Sequence, residues 1–340
     1  MVAERLTAQL LAGAPAKDPV AVAERLLAVQ GQDARGARLA VRARTQGLSA
    51  ADVDRALTHD RSLLITWLNR GTLHLVRSED YPWLQALTAP RHLTATLRRL
   101  AQEGVDADQA ERGVAAVKRA LAAEGPLTRA SLGERIAAAG VRTQGQALIH
   151  ILALACLRGR AVRGPMVGGE HAYVLVRDWL GESEPVERER ALAELARRYL
   201  AGHGPADDRD LGKWAGLPLR DARAGLEAIA SELAERADGL VDLAGRPSPA
   251  ELPPPLLLGA FDPVLLGWTS REPLLGAHQR VITVNGIFRP FALVGGRAAG
   301  TWTMPGGTVA LEPFGRLSSE DAAALDAEAA DVKRFLTQAA

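Results

Sequence analysis

Glu124-Gly125-Pro126-Leu127-Thr128-Arg129-Ala130-Ser131-Leu132-Gly133-Glu134-Arg135 has an echo in His203-Gly204-Pro205-Ala206-Asp207-Asp208-Arg209-Asp210-Leu211-Gly212-Lys213-Trp214. At an offset of 79 residues, Gly-Pro falls on Gly-Pro and Leu-Gly on Leu-Gly. Each segment follows an alanine-rich helical stretch, 114–123 or 191–201, and carries an N-cap candidate, Thr128 or Asp207, ahead of a short helix. A turn comes next, Ala139-Gly140-Val141 or Ala215-Gly216-Leu217-Pro218, and then a longer helix from about Thr143 or Leu219. This order is the helix-turn-helix plan. A strand-turn-strand pattern follows each copy: Ala161-Val162-Arg163 and 172–176 around Gly168-Gly169, and a weaker Leu240-Val241-Asp242-Leu243. A hairpin behind a helix-turn-helix predicts a winged helix, and divergent repetition predicts tandem copies.

The same plan extends towards the N-terminus. Segments 20–29 and 52–57 read as helices, and 63–67 and 71–76 as strands around Asn69-Arg70-Gly71. The C-terminal part differs. Pro247-Ser248-Pro249 and Pro253-Pro254-Pro255 read as a stiff linker. Short β-like runs follow at 280–284, 288–294 and 297–302, punctuated by Asn285-Gly286 and Gly295-Gly296, and a polar helix closes the chain at 319–336. The expected class is α+β: three tandem winged-helix motifs, then a small C-terminal β-rich domain with a terminal helix. The segments are 1–105, 106–182, 183–250 and 251–340. A chain of 340 residues is long for one core, which agrees with several domains.

Composition narrows the function. No apolar run reaches membrane-spanning length, and Met1-Val2-Ala3-Glu4-Arg5 does not start a secretory signal, so a cytoplasmic protein without a membrane partner is expected. The single cysteine, Cys156, sits among leucines and reads as core; it excludes an internal disulfide and a cysteine-cluster zinc site. The histidines show no ligand-like spacing, so no metal is expected, and no phosphate loop or other cofactor motif is present. Net charge is +1, yet residues 1–180 hold 24 Lys+Arg against 17 Asp+Glu, and residues 181–340 hold 17 against 23. The basic N-terminal half is where a polyanion would bind.

Within that half, Val29-Gln30-Gly31-Gln32-Asp33 runs directly into Ala34-Arg35-Gly36-Ala37-Arg38. Arg35, Arg38 and Arg42 are spaced i, i+3, i+7, which puts them on one helix face. Arginines on one face suit phosphates. Two amides beside them suit the binding of polar edges or the orientation of water, since each carries two donors and an acceptor. The plainer alternative is that Gln30 and Gln32 cap a helix.

At this point the chain resembles the tandem winged-helix DNA glycosylases of the AlkZ/YcaQ type. Four stretches carry the likeness, in the family's order: 29–33, Thr66-Trp67-Leu68-Asn69-Arg70-Gly71-Thr72-Leu73-His74-Leu75-Val76, Ala260-Phe261-Asp262-Pro263-Val264-Leu265-Leu266-Gly267-Trp268, and 289–302. The resemblance implies three winged helices around a basic channel and hydrolysis of the N-glycosidic bond of alkylated purines in double-stranded DNA, N7-alkylguanine above all. In some members it implies unhooking of interstrand crosslinks made by genotoxic natural products. It maps the family's Gln-x-Gln/Asp motif onto Gln30 and Gln32 as catalytic residues, with Gly31 departing from the usual larger apolar residue. An N7-alkylated guanine leaves as a neutral base, so a positioned water and oriented dipoles suffice and no general acid is needed. Asp33 is an auxiliary candidate as base or charge stabiliser.

The other motif residues keep two readings each. His74 is a core histidine or a DNA contact. Arg70 contacts phosphate or pairs with Glu79 or Asp80. Asp262 shapes a turn or assists the site. Gly295-Gly296 reaches a groove or is a solvent-facing tip. Trp67 reads as packing. The competing function is a non-catalytic DNA-binding protein, either a regulator or a member whose catalysis has decayed. A monomer is expected, because three winged helices can enclose a duplex unaided.

Overall fold

The computed structural model describes residues 1–182 and 184–338. It is a mixed helix-and-sheet protein that divides into two compact units, Met1–Val53 with Leu192–Ala340, and Asp54–Ala191. The sequence boundaries at 105, 182 and 250 fall inside these units.

In the second unit, the strands Leu63–Leu68 and Thr72–Arg77 form a tight antiparallel hairpin, Leu63 opposite Arg77 and Leu68 opposite Thr72. Its turn needs left-handed backbone, supplied by Asn69 at φ +48° and Gly71 at φ +76°. A side chain at Gly71 would also run into the His92 ring. His92 Nε2 donates to the Asn69 carbonyl, and Thr88 Oγ1 accepts from the Asn69 amide at 3.1 Å. The strand Leu63–Leu68 pairs on its other side with Ala161–Val167, which pairs with Glu170–Leu175. Two hairpins nearly a hundred residues apart in the chain therefore share one sheet, which is why this unit spans both sequence segments. Ahead of the later hairpin lie Ala107–Glu124, Arg129–Ala138 and Ala147–Leu157. Thr128 caps the second of these as expected, accepting from Ser131 N at 3.2 Å. The third is apolar almost throughout and buries Cys156 completely.

In the first unit, Asp207 caps Asp208–Ala215 by accepting from Asp210 N at 2.7 Å, and left-handed Gly216 ends that helix. Leu219–Ala228 and the short hairpin Leu233–Glu235/Val241–Leu243 follow. A separate antiparallel sheet orders Ala310–Pro313, Arg297–Thr303, Phe291–Val294 and Leu256–Leu258. The terminal helix Ser319–Thr337, capped by Ser318, packs on Leu256–Leu258 and on Ala34–Arg42. The core gathers Tyr199, His203, Trp214 and Trp268: Tyr199 stacks on His203 at 4.8 Å, Tyr199 Oη donates to Gly267 O at 2.7 Å, and Trp268 Nε1 donates to His203 O at 2.9 Å.

Two details of the C-terminal part differ from expectation. The run at 280–284 is not a strand; only the bridge Ile282–Phe288 forms, closed by the Asn285-Gly286 turn. Pro290, which cannot donate to a ladder, separates this turn from the sheet. Conversely, Leu256–Leu258 belongs to the sheet although it follows Pro253-Pro254-Pro255; its partner Phe291–Val294 is too distant in sequence to reveal it.

Candidate active site

The amide motif begins as the short strand Val29–Gln30 and ends at the helix Ala34–Arg42. Gln30 is buried and Gln32 exposed. Gln30 Nε2 donates to Gln32 Oε1 at 2.6 Å, so the two carboxamides act as one unit. The helix is capped by Asp33, whose Oδ1 accepts from Gly36 N. The capping alternative therefore belongs to Asp33 and not to the glutamines, and Asp33 spends that oxygen on the helix. Its carboxylate sits at the positive end of the helix dipole.

One further stretch of the first unit meets this helix. Gly36 lies against the Ala260 carbonyl so closely that a Cβ built there would stand 2.4 Å from that oxygen. Gly259 in turn packs on Gly36 and Leu39. Gly259 and Ala260 thus back the helix that follows the glutamines.

Arg35 is exposed and Arg38 half-buried, with Arg38 Nη1 donating to Ala34 O at 3.0 Å. Arg42 is not part of a DNA-facing row. It is buried at 5%, paired with Glu328 at 2.6 Å and Asp331 at 2.8 Å, and donates to Leu257 O at 3.0 Å. The helical spacing holds, but the terminal helix covers the C-terminal end of Ala34–Arg42 and takes Arg42 with it.

Asp262 is likewise corrected from auxiliary candidate to structural ion. It is fully buried and grips Arg44 through both oxygens, at 2.8 and 2.9 Å, while capping the 3-10 turn Pro263–Leu265. Gly295 is exposed at its hairpin turn, but Gly296 is buried against Val2, Leu6 and Leu252, so only Gly295 offers a surface.

In the second unit, Arg70 is half-buried at the tip of the first hairpin, and Glu79 and Asp80 pair with Arg77. His74 is the core histidine of the two alternatives, only 1% exposed. Burial, assisted by the charge of Arg70, lowers its pKa to about 3. It is neutral, so Nδ1–H donates to Thr72 O at 2.9 Å and Nε2 carries the lone pair. Burial also pushes the Cys156 thiol up to about 12, which removes it as a nucleophile. Arg44 and His92 were not legible as important: Arg44 carries no local signal, whereas a histidine clamping the turn could only be found from the hairpin's three-dimensional closure.

The chain is similar to known proteins. An interstrand DNA cross-link repair glycosylase of Streptomyces sahachiroi is 28% identical, over 92% of this chain and 89% of its own length. The solved structure of Streptomyces sahachiroi DNA glycosylase AlkZ superposes with a TM-score of 0.80 at 25% identity, covering 99% of this chain and 96% of that one. The family model described as DNA glycosylase AlkZ-like matches residues 23–335. The chain belongs to the AlkZ-like DNA glycosylase family.

Proposed function

We propose that this glycosylase hydrolyses the N-glycosidic bond of N7-alkylated purines in double-stranded DNA, with Gln30 and Gln32 as its catalytic pair. The observation that carries the reading is the 2.6 Å hydrogen bond between their carboxamides, with Asp33 rather than either glutamine capping the helix. Gln30 fixes Gln32 Oε1, which retains a second lone pair for an O–H of water. A water so held adds to C1′ as the sugar gains oxocarbenium character. The alkylated base departs with the bonding electrons and becomes neutral. The new oxonium on C1′ then releases its proton to solvent. Asp33 adds negative charge near the developing cation.

Arg35 and Arg38 extend from this motif as phosphate contacts, and Arg70 and Gly295 are further contacts to DNA. The three helix–helix–hairpin segments act as winged helices in a monomer, in the order 1–105, 106–182 and 183–250. The relative of Streptomyces sahachiroi named for interstrand cross-link repair supports extending the substrate to crosslinked purines. A DNA substrate agrees with a cytoplasmic location.

The test is single-turnover release of 7-methylguanine from methylated duplex DNA, with wild type beside Gln30→Ala/Gln32→Ala. Release by wild type, and its loss in a variant that still binds DNA, is the expected result. Equal release by both proteins removes the catalytic assignment. Absence of release from methylated and from crosslinked DNA alike favours a DNA-binding protein without this chemistry.

A further inference from the structure

In the first unit, a cavity of about 440 Å³ opens beside the four-stranded sheet. Its walls include Arg297, Arg316, His278 and Phe314, and no carboxylate among the described residues lines it. The His278 and Phe314 rings are stacked, 4.6 Å apart and 20° from parallel. Arg297 opens the strand Arg297–Thr303 directly after Gly296, whose packing on Val2 and Leu6 anchors the turn. Arg316 follows the strand Ala310–Pro313 and precedes the Ser318 cap of the terminal helix.

Both arginines are exposed, and among the described residues neither has an ion-pair partner. Arg42, Arg44, Arg77, Arg135, Arg197 and Arg236, by contrast, all sit on carboxylates. Two guanidinium groups without carboxylate partners line this one cavity and give it a positive wall. Guanidinium forks match phosphate oxygens, and a stacked ring pair offers an apolar face to a sugar or base.

We propose that this cavity binds a phosphodiester of the DNA strand outside the reacting nucleotide. Arg297 and Arg316 hold the phosphate, and the His278–Phe314 stack lies against the attached sugar or base. The assignment rests on the DNA substrate proposed above, but it asks for affinity and not for chemistry.

The test compares the full chain with R297A/R316A, using anisotropy of a labelled undamaged duplex at several salt concentrations. The variant is expected to bind about three- to ten-fold more weakly, and its slope of log K against log salt to fall by about 0.9, the value for one lost phosphate contact. R297K/R316K, which keeps the charges, is expected to hold most of the slope. Unchanged affinity and slope in R297A/R316A overturn the proposal. So does calorimetric binding of deoxyguanosine monophosphate that the variant loses while duplex affinity stays intact, since the cavity would then serve a free nucleotide. Gln30 and Gln32 variants alter release without moving the slope, so the two readings fail separately.

Discussion

Arg44 and Asp262 lie 218 residues apart in sequence and meet in a two-point ion pair with no exposed surface on either side chain. The remaining guanidinium hydrogens go to Ala40 O, Gln9 O and Gln9 Oε1, and Asp262 also accepts from Val264 N. All five guanidinium donors are engaged. Removing one partner strands the other charge in the core, at a cost of about 3–5 kcal/mol. Asp262→Ala should show that loss in urea unfolding. Its folded fraction should retain the wild-type rate of base release, which a catalytic Asp262 would not allow.

The hydrogen bond between Gln30 and Gln32 makes their contributions non-additive. Each single alanine variant should lose about 10²–10³ in single-turnover rate, as when an oriented donor is removed from an active site. The double variant should lose little more than the worse single one, with DNA affinity nearly unchanged. Two losses that multiply would show that the glutamines act independently.

The contrast between Asp262 and the glutamines marks what a single sequence discloses. Local patterns were legible: Thr128 and Asp207 cap the helices expected of them, and Asn69-Arg70-Gly71 turns its hairpin. Each is decided by residues within a few positions of one another. Long-range closure was not legible. Arg42 looked like the third member of an arginine face until the terminal helix brought Glu328 and Asp331 to it. Leu256–Leu258 was not expected as a strand because its sheet partner begins only at Phe291. The sharing of one sheet by two hairpins, which joins residues from both segments into one unit, has no signature in either hairpin alone.

Gly36 gives a steric test of how the helix behind the glutamines is seated. In a helix, alanine is normally favoured over glycine by about 1 kcal/mol. Here the added methyl meets the Ala260 carbonyl at 2.4 Å and Asp33 Oδ1 at 3.1 Å. Overpacking against backbone costs about 1–3 kcal/mol, so Gly36→Ala should be net destabilising in thermal unfolding. Because the clash involves the capping carboxylate of Asp33, release should slow as well. A variant with a raised melting temperature would refute the close packing.

His74 predicts an acid limb in the stability curve. Its folded pKa of about 3 lies below the ordinary 6.5, so between these values the unfolded chain binds the extra proton. Its contribution is fully present above about pH 6.5 and is lost as pH falls towards 3, at about 1.4 kcal/mol per pH unit. His74→Asn keeps an amide donor for Thr72 O and cannot titrate. Urea unfolding between neutral and mildly acidic pH should therefore give the variant a flatter dependence. Parallel curves would mean that His74 is charged or solvated in the folded protein.

Arg35 and Arg42 stand two turns apart on one helix and should behave oppositely. Arg35 is exposed, so Arg35→Gln should leave unfolding unchanged and lower the salt slope of duplex binding by about 0.9, one phosphate contact. Arg42 joins Ala34–Arg42 to Ser319–Thr337 through Glu328 and Asp331. Arg42→Gln takes the counter-charge from Glu328, while Asp331 keeps Arg334 at 2.7 Å; both carboxylates reach solvent, so the cost should be about 1–3 kcal/mol, with the salt slope of the folded protein unchanged. Anisotropy titrations and urea unfolding on the two variants separate the cases. A slope lowered by Arg42→Gln in a protein of undiminished stability would place Arg42 on the DNA after all.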